Sequence, residues 1–353
     1  MGKVHEFTLA LHRALTGSDN ACSSPYSVAT ALGLLAEAAR GPGRAEIVAL
    51  VGDPAELAAR FGEAGQLWAG ELAVANTLWV DREVTVRPEL TESLGGWPGA
   101  AVRELALRAD PDSARGVINA DVAETTRGLI AEAVPQGAIT PETVVALVNA
   151  LYLKVGWNLP FRDGATEDLP FHAPEGTVAV PTMSRAGKSK HVAAGGWQSV
   201  ALPADGGVEA VVLLPDGDLD QTPLDAALLA ELTGPGEFRQ IELYLPRFRV
   251  ESRVELAAPL EKLGVRTVFS EDADLGGLTA ERVAVTAALH QAVLEVDENG
   301  LEGAAVTAMM VGTVSLELEP PPPLEIRVDR PFLFLVRHQG TGAPYFLARV
   351  VRP

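Results

Sequence analysis

The chain has a single cysteine, Cys22, so no internal disulfide can form and packing alone must hold the fold. It has no run of eighteen apolar residues, so nothing in it reads as a membrane-spanning helix. Basic residues are scarce: 28 Lys and Arg stand against 47 Asp and Glu, for a net charge of −19. That balance argues against binding nucleic acid or an anionic membrane. Catalytic motifs are missing too. There is no G-x-S-x-G elbow, and His5-Glu6 has no second His at the offset of a zinc helix. Gly187-Lys188-Ser189 resembles the end of a phosphate-binding loop, but Thr182 stands where its first Gly is needed. Six scattered His and one Cys build no zinc site, and Asp216, Asp218 and Asp220 lack calcium-loop spacing. The sequence therefore calls for no metal, no cofactor and no enzymatic activity.

What is present is ample core material, 47% apolar residues in a chain of 353. Length allows one large domain or two ordinary ones, and no Pro/Gly/Ser linker divides them. The first segment, MGKVHEFTLALHRAL, has helical periodicity through Val4, Phe7, Leu11 and Leu15 and no signal-peptide core. Ser24-Pro25 opens a second helix of Ala/Leu character, which Gly41-Pro42-Gly43 is expected to end. Ala114 to Ala133 has helical spacing. Thr143 to Leu153 reads as a central strand buried on both faces, interrupted by Asn149. Short strands are expected between Phe171 and Pro215, one strand over Ile241 to Val250, and a final hairpin turning at Gly340-Thr341-Gly342. Helices come early and strands late, which points to an α+β fold.

One stretch fits none of these classes. Ala287 to Val296 reads as a strand and Asp297 to Gly300 as an acidic turn. After Glu302 come fourteen uncharged, mostly small residues, Gly303 to Leu316. They are too apolar for a linker and too small for a good core strand. A segment exposed in one state and inserted in a sheet in another would have this composition. As an inserted strand, Leu301, Gly303, Ala305, Thr307, Met309 and Val311 would face the core, and the one charge, Glu302, would face out.

Six motifs in order resemble the serpin family. They are Asn20 to Ser27, Val148 to Phe161, the Leu-Pro-Arg-Phe of Leu245 to Phe248, Ala273 to Thr279 with Leu289 to Val293, the hinge Glu298 to Thr307, and Asp329 to Phe334. The resemblance implies a single domain over 1–353, with three β-sheets, about eight or nine helices and an exposed reactive-centre loop near 298–323. It implies a monomeric suicide inhibitor whose partner is a target serine protease, held as a covalent acyl-enzyme. The cut loop would insert into the large sheet and trap the enzyme. An extracellular location is expected, although the N-terminus, without a signal-peptide core, leaves a cytoplasmic one open. A non-inhibitory carrier, chaperone or storage protein is the alternative.

The resemblance also assigns sites. The hinge is Glu298, Gly300, Leu301, Glu302, Gly303, Ala304, Ala305, Val306 and Thr307. The shutter, where the sheet opens, is Ser24, Ser27, Asn149 and His290. The breach, where insertion starts, is Trp157, Arg247 and Glu298, with an ion pair expected between the last two. Family loops are cut about fourteen residues past the hinge Gly, which here gives Val314-Ser315. Counting back from Asp329 lands near Pro320, and proline suits a cut bond poorly. Val314 fits a small apolar pocket, as in elastase-like or subtilisin-like enzymes, and no Lys or Arg lies between Arg282 and Arg327 to serve a trypsin-like one. Two departures stand out. Leu301 replaces the usual Thr or Ser, so its bulk is expected to slow insertion. Asp121 stands where many members carry Trp.

Overall fold

The computed structural model describes residues 2–162, 164–301 and 322–353. The expected hinge residues Glu302 to Thr307 and the bond Val314-Ser315 lie outside the described residues.

Helix α1 (Gly2–Leu15) buries Val4, Phe7 and Leu11, as its periodicity requires. Strand β1 (Ala21–Ser23) carries a buried Cys22, whose thiol burial holds well above its ordinary pKa and so leaves unreactive. Helix α2 (Pro25–Ala38) is capped by Ser24 Oγ, which accepts from Ser27 N at 3.1 Å. All of α2 but one residue is buried, so it forms the axis of the core. Gly41-Pro42-Gly43 does not simply end it. The triplet is the first turn of α3 (Gly41–Val51), where proline's missing N–H costs nothing. Next come α4 (Pro54–Ala64), β2 (Glu71–Asp81), α5 (Pro88–Ser93), β3 (Ala100–Leu105) and α6 (Pro111–Thr125). The helical spacing seen to Ala133 stops at Thr125 because Arg127 and Gly128 adopt left-handed backbone, φ 51° and 82°. Asp121 on α6 takes the guanidinium of Arg103, which lies 5.6 Å over the Trp79 ring. An ion pair on an indole thus ties α6 to β2 and β3.

The rest is mainly strand: β4 (Val145–Gly156), β5 (Glu167–Ala173), β6 (Gly176–Ala194), β7 (Trp197–Pro203) and β8 (Val208–Pro215). Then follow α7 (Ala226–Leu232), β9 (Glu237–Pro246), β10 (Phe248–Glu255), α8 (Ala257–Lys262), β11 (Val285–Val296) and β12 (Gly300–Leu301). The chain closes with β13 (Leu324–Arg327), β14 (Phe332–His338) and β15 (Pro344–Val350). The single strand expected over Ile241 to Val250 is two. Pro246 lacks a donor, Arg247 N turns to Pro181 O at 2.9 Å, and the chain changes sheet there.

The six-stranded sheet runs β10-β11-β12-β4-β2-β3. The other ladder, nine strands, runs β1-β15-β14-β8-β7-β6-β9-β13 with β5 also on β6. Strand β6 is 19 residues long, where short strands were expected, because it pairs in turn with β5, β9 and β7. The family's three sheets are therefore the six-stranded one and two that share β6. The largest hydrophobic cluster lies around α2 and draws on both ladders, including Leu151, Leu294 and Phe334. A second lies under α6 on the opposite face of the six-stranded sheet, with Trp79, Ile118, Val148 and Val293. Strand β11 is thus buried on both faces over most of its length.

Candidate functional site

The centre of the six-stranded sheet is a parallel seam. Strands β4 and β11 pair directly from Val145↔Val285 to Leu151↔Ala292. Beyond that they part, and β12 fills the gap antiparallel to both, with Gly300↔Gly156, Leu301↔Val155 and Val296↔Leu301. Leu301 is 1% exposed and belongs to the main core. This residue, whose bulk is expected to slow insertion, is seated in the core in this structure. Gly300 is required for the same approach, since a Cβ there would lie 2.1 Å from Val155 O.

The turn before β12 is held from one side. Trp157 N donates to Asn299 O at 2.8 Å, Phe161 N to Glu298 O at 3.0 Å, and Trp157 Nε1 to Asp297 O at 2.9 Å. Three successive carbonyls thus rest on one short segment. Asp297 Oδ1 accepts from Asn299 N and Gly300 N at 2.7 and 3.0 Å, closing the turn on itself. The Glu298 carboxylate is buried and accepts Arg247 Nε at 2.7 Å and the Thr166 hydroxyl. Burial alone would raise its pKa; the hydrogen bonds from Arg247 and Thr166 outweigh burial and hold it below the usual carboxylate range. The bond from Glu298 in turn raises Arg247. Arg247 and Glu298 therefore form the expected pair, joined by Thr166, which nothing in the sequence marks, while Trp157 binds the carbonyls on either side of Glu298.

Lower on the seam the four shutter residues form one network, 0–1% exposed. Asn149 Nδ2 donates to Ser27 O at 2.8 Å and Ser27 Oγ at 2.6 Å, and contacts Asn76 Oδ1. Asn149 Oδ1 lies 2.6 Å from His290 Nδ1, and His290 Nε2 is 3.1 Å from Ser24 N. A backbone N–H can only donate, so Nε2 is the acceptor and Nδ1 carries the proton. The ring is neutral: burial pushes its pKa down to about 4. Asn76 was missed in the sequence, although it is the one amide in the apolar run LAVANTLWV, the same signal that marks Asn149. Asn149 and His290 are register partners across the seam, so this network ties the two strands that β12 separates higher up.

Among the described residues no cluster of His, Cys, Asp or Glu could hold a metal ion, and no helix is long and apolar enough to cross a membrane. A sequence profile described as Serpin (serine protease inhibitor) matches residues 3–353. Alpha-1-antitrypsin 1-1 of Mus musculus is 31% identical, over 99% of this chain and 87% of that one. Leukocyte elastase inhibitor of Sus scrofa is 31% identical, over 98% and 97%. Among solved structures, thyroxine-binding globulin in complex with thyroxine superposes with a TM-score of 0.88 at 24% identity, over 100% of this chain and 99% of that one, a likeness of fold. The chain belongs to the serpin family.

Proposed function

We propose that the protein is a single-domain, monomeric, extracellular suicide-substrate inhibitor of serine proteases with elastase-like or subtilisin-like specificity. The observation that carries this is the seated β12. It lies between β4 and β11 as the first rungs of a strand whose continuation is the uncharged, small-residued segment. Continuing both registers downward would align Thr307 with Asn149 on one side and His290 on the other. Its hydroxyl would then take up the hydrogen bonds those two groups now exchange. A fourteen-residue inserted strand spans roughly 45 Å, enough to carry a tethered enzyme the length of the domain. The protease would cleave at Val314-Ser315 and form an ester with its own serine. It would be displaced before hydrolysis.

Ladder bonds contribute about 0.5–1.5 kcal/mol each, while ordering a residue costs about 1–2 kcal/mol. The direction must then come from side-chain burial and relief of the closed sheet, which makes the intact form kinetically held. The names of leukocyte elastase inhibitor and alpha-1-antitrypsin among the relatives support the protease class. Incubation with an elastase-like and a subtilisin-like protease tests the reading. A complex that survives SDS, with release of a peptide starting at Ser315, is expected. Cleavage by both enzymes without any such complex would turn the assignment to a non-inhibitory serpin, a carrier, chaperone or storage protein.

A further inference from the structure

The segment that holds the hinge is itself held, and the holder has no assigned role. Arg185 lies on β6 and is 4% exposed. Its Nη1 donates to Leu159 O at 2.8 Å and its Nη2 to Ser189 Oγ at 2.8 Å. Its guanidinium sits 5.6 Å from the centre of the Phe161 ring. Leu159 and Phe161 belong to the segment whose N–H groups bind the carbonyls of Asp297, Glu298 and Asn299. A second contact grips the same segment. Gly187 leaves room for Leu159, whose Cδ2 would lie 2.6 Å from any Cβ placed there. The Phe161 ring also packs edge-on to Trp157, at 6.5 Å and 74°. Arg185 thus fixes one backbone carbonyl and one ring of a five-residue clamp, and the clamp fixes three carbonyls of the turn that delivers Leu301 to the sheet. The bonds engage residues before Gly300, so adding rungs after Leu301 need not break them.

We infer that Arg185 is a positioning residue for loop insertion: it holds the Trp157 to Phe161 clamp, and through it keeps Gly300 and Leu301 in register between β4 and β11. This rests on the inhibitor reading for its consequence, but not for its structural part. With the clamp loose, β12 leaves the slot and insertion must start again from an unseated hinge. The acyl-enzyme then has time to hydrolyse. Lysine does not substitute, because an ammonium on a single stem cannot present the fixed fork that spans Leu159 O and Ser189 Oγ.

The test uses the full chain with Arg185→Lys, Arg185→Met and Gly187→Ala, the last displacing Leu159 without touching the arginine. Two quantities are read: amide hydrogen exchange at Leu301, and the number of inhibitor molecules consumed per protease trapped. Exchange at Leu301 is expected to quicken at least tenfold in all three. Consumption is expected to rise threefold or more, with the rate of loop cleavage unchanged. Unaltered Leu301 exchange in Arg185→Lys and Gly187→Ala would overturn the proposal, even if both melt at a lower temperature. Faster Leu301 exchange in variants of a parent that traps no protease would uphold the positioning role and sink the inhibitor reading instead.

Discussion

At the scale of single residues, the buried imidazole of His290 makes a pH prediction whose sign follows from its bonds. Its ordinary pKa is 6.5 and its folded one about 4, so the unfolded chain binds this proton first as pH falls. Stability from this group is full above pH 6.5 and declines as pH drops toward about 4. The loss amounts to roughly 3 kcal/mol in all. Burial lowers His5 and His12 to about 4 as well, so the three add in the same direction. Urea midpoints measured from pH 7 to pH 4 should fall steadily, and His290→Gln should flatten that slope. Asn149→Ala strands the His290 proton and the Asn76 carbonyl oxygen, and should cost the intact protein about 3 kcal/mol. An equilibrium unfolding curve within 0.5 kcal/mol of the parent would show that the network is not shared. For Arg247 and Glu298 a double-mutant cycle should give about 1 kcal/mol, since Arg247 is half-exposed while Glu298 is buried.

At the scale of elements, β12 is two residues long and decides more than its length suggests. Gly300→Ala puts a methyl group into Val155 O, so the strand should leave the slot. Leu301→Arg would bury a charge in the main core and should do the same. Both variants should be cut at the parent's rate and yield little SDS-stable complex; trapping at the parent's stoichiometry by either would mean that seating is irrelevant. The element pattern also shows how far the sequence was legible. Asn149 stood out as an amide in an apolar run, whereas the other hinge, shutter and breach residues were assigned by the family resemblance. The sheet change at Pro246-Arg247 did not, because LPRF is locally compatible with one continuous strand and only the partner strands distinguish the two halves. Strand β6 was underestimated because its Gly and polar residues mimic turns; three successive partners override that local preference. Arg185 left no trace, since a buried arginine whose acceptors are a carbonyl and a serine has no sequence spacing to betray it.

At the scale of the whole molecule, the two residues of β12 lie between β4 and β11 at the upper end of the parallel join. Limited cleavage near Val314-Ser315 should let this strand lengthen along the join. The thermal midpoint by differential scanning calorimetry should then rise in the nicked protein, with both fragments still associated. A nicked form that melts no higher than the intact one would mean the severed strand stays outside. The consequence reaches the chemistry of the backbone itself. The join between β4 and β11 is made of slanted parallel bonds, the weaker kind per residue. A strand running antiparallel to both neighbours replaces that one join with two of the stronger kind, so completion doubles the number of backbone seams at the sheet's centre while improving each. On the proposed mechanism, insertion would therefore exchange the sheet's central parallel join for two antiparallel ones.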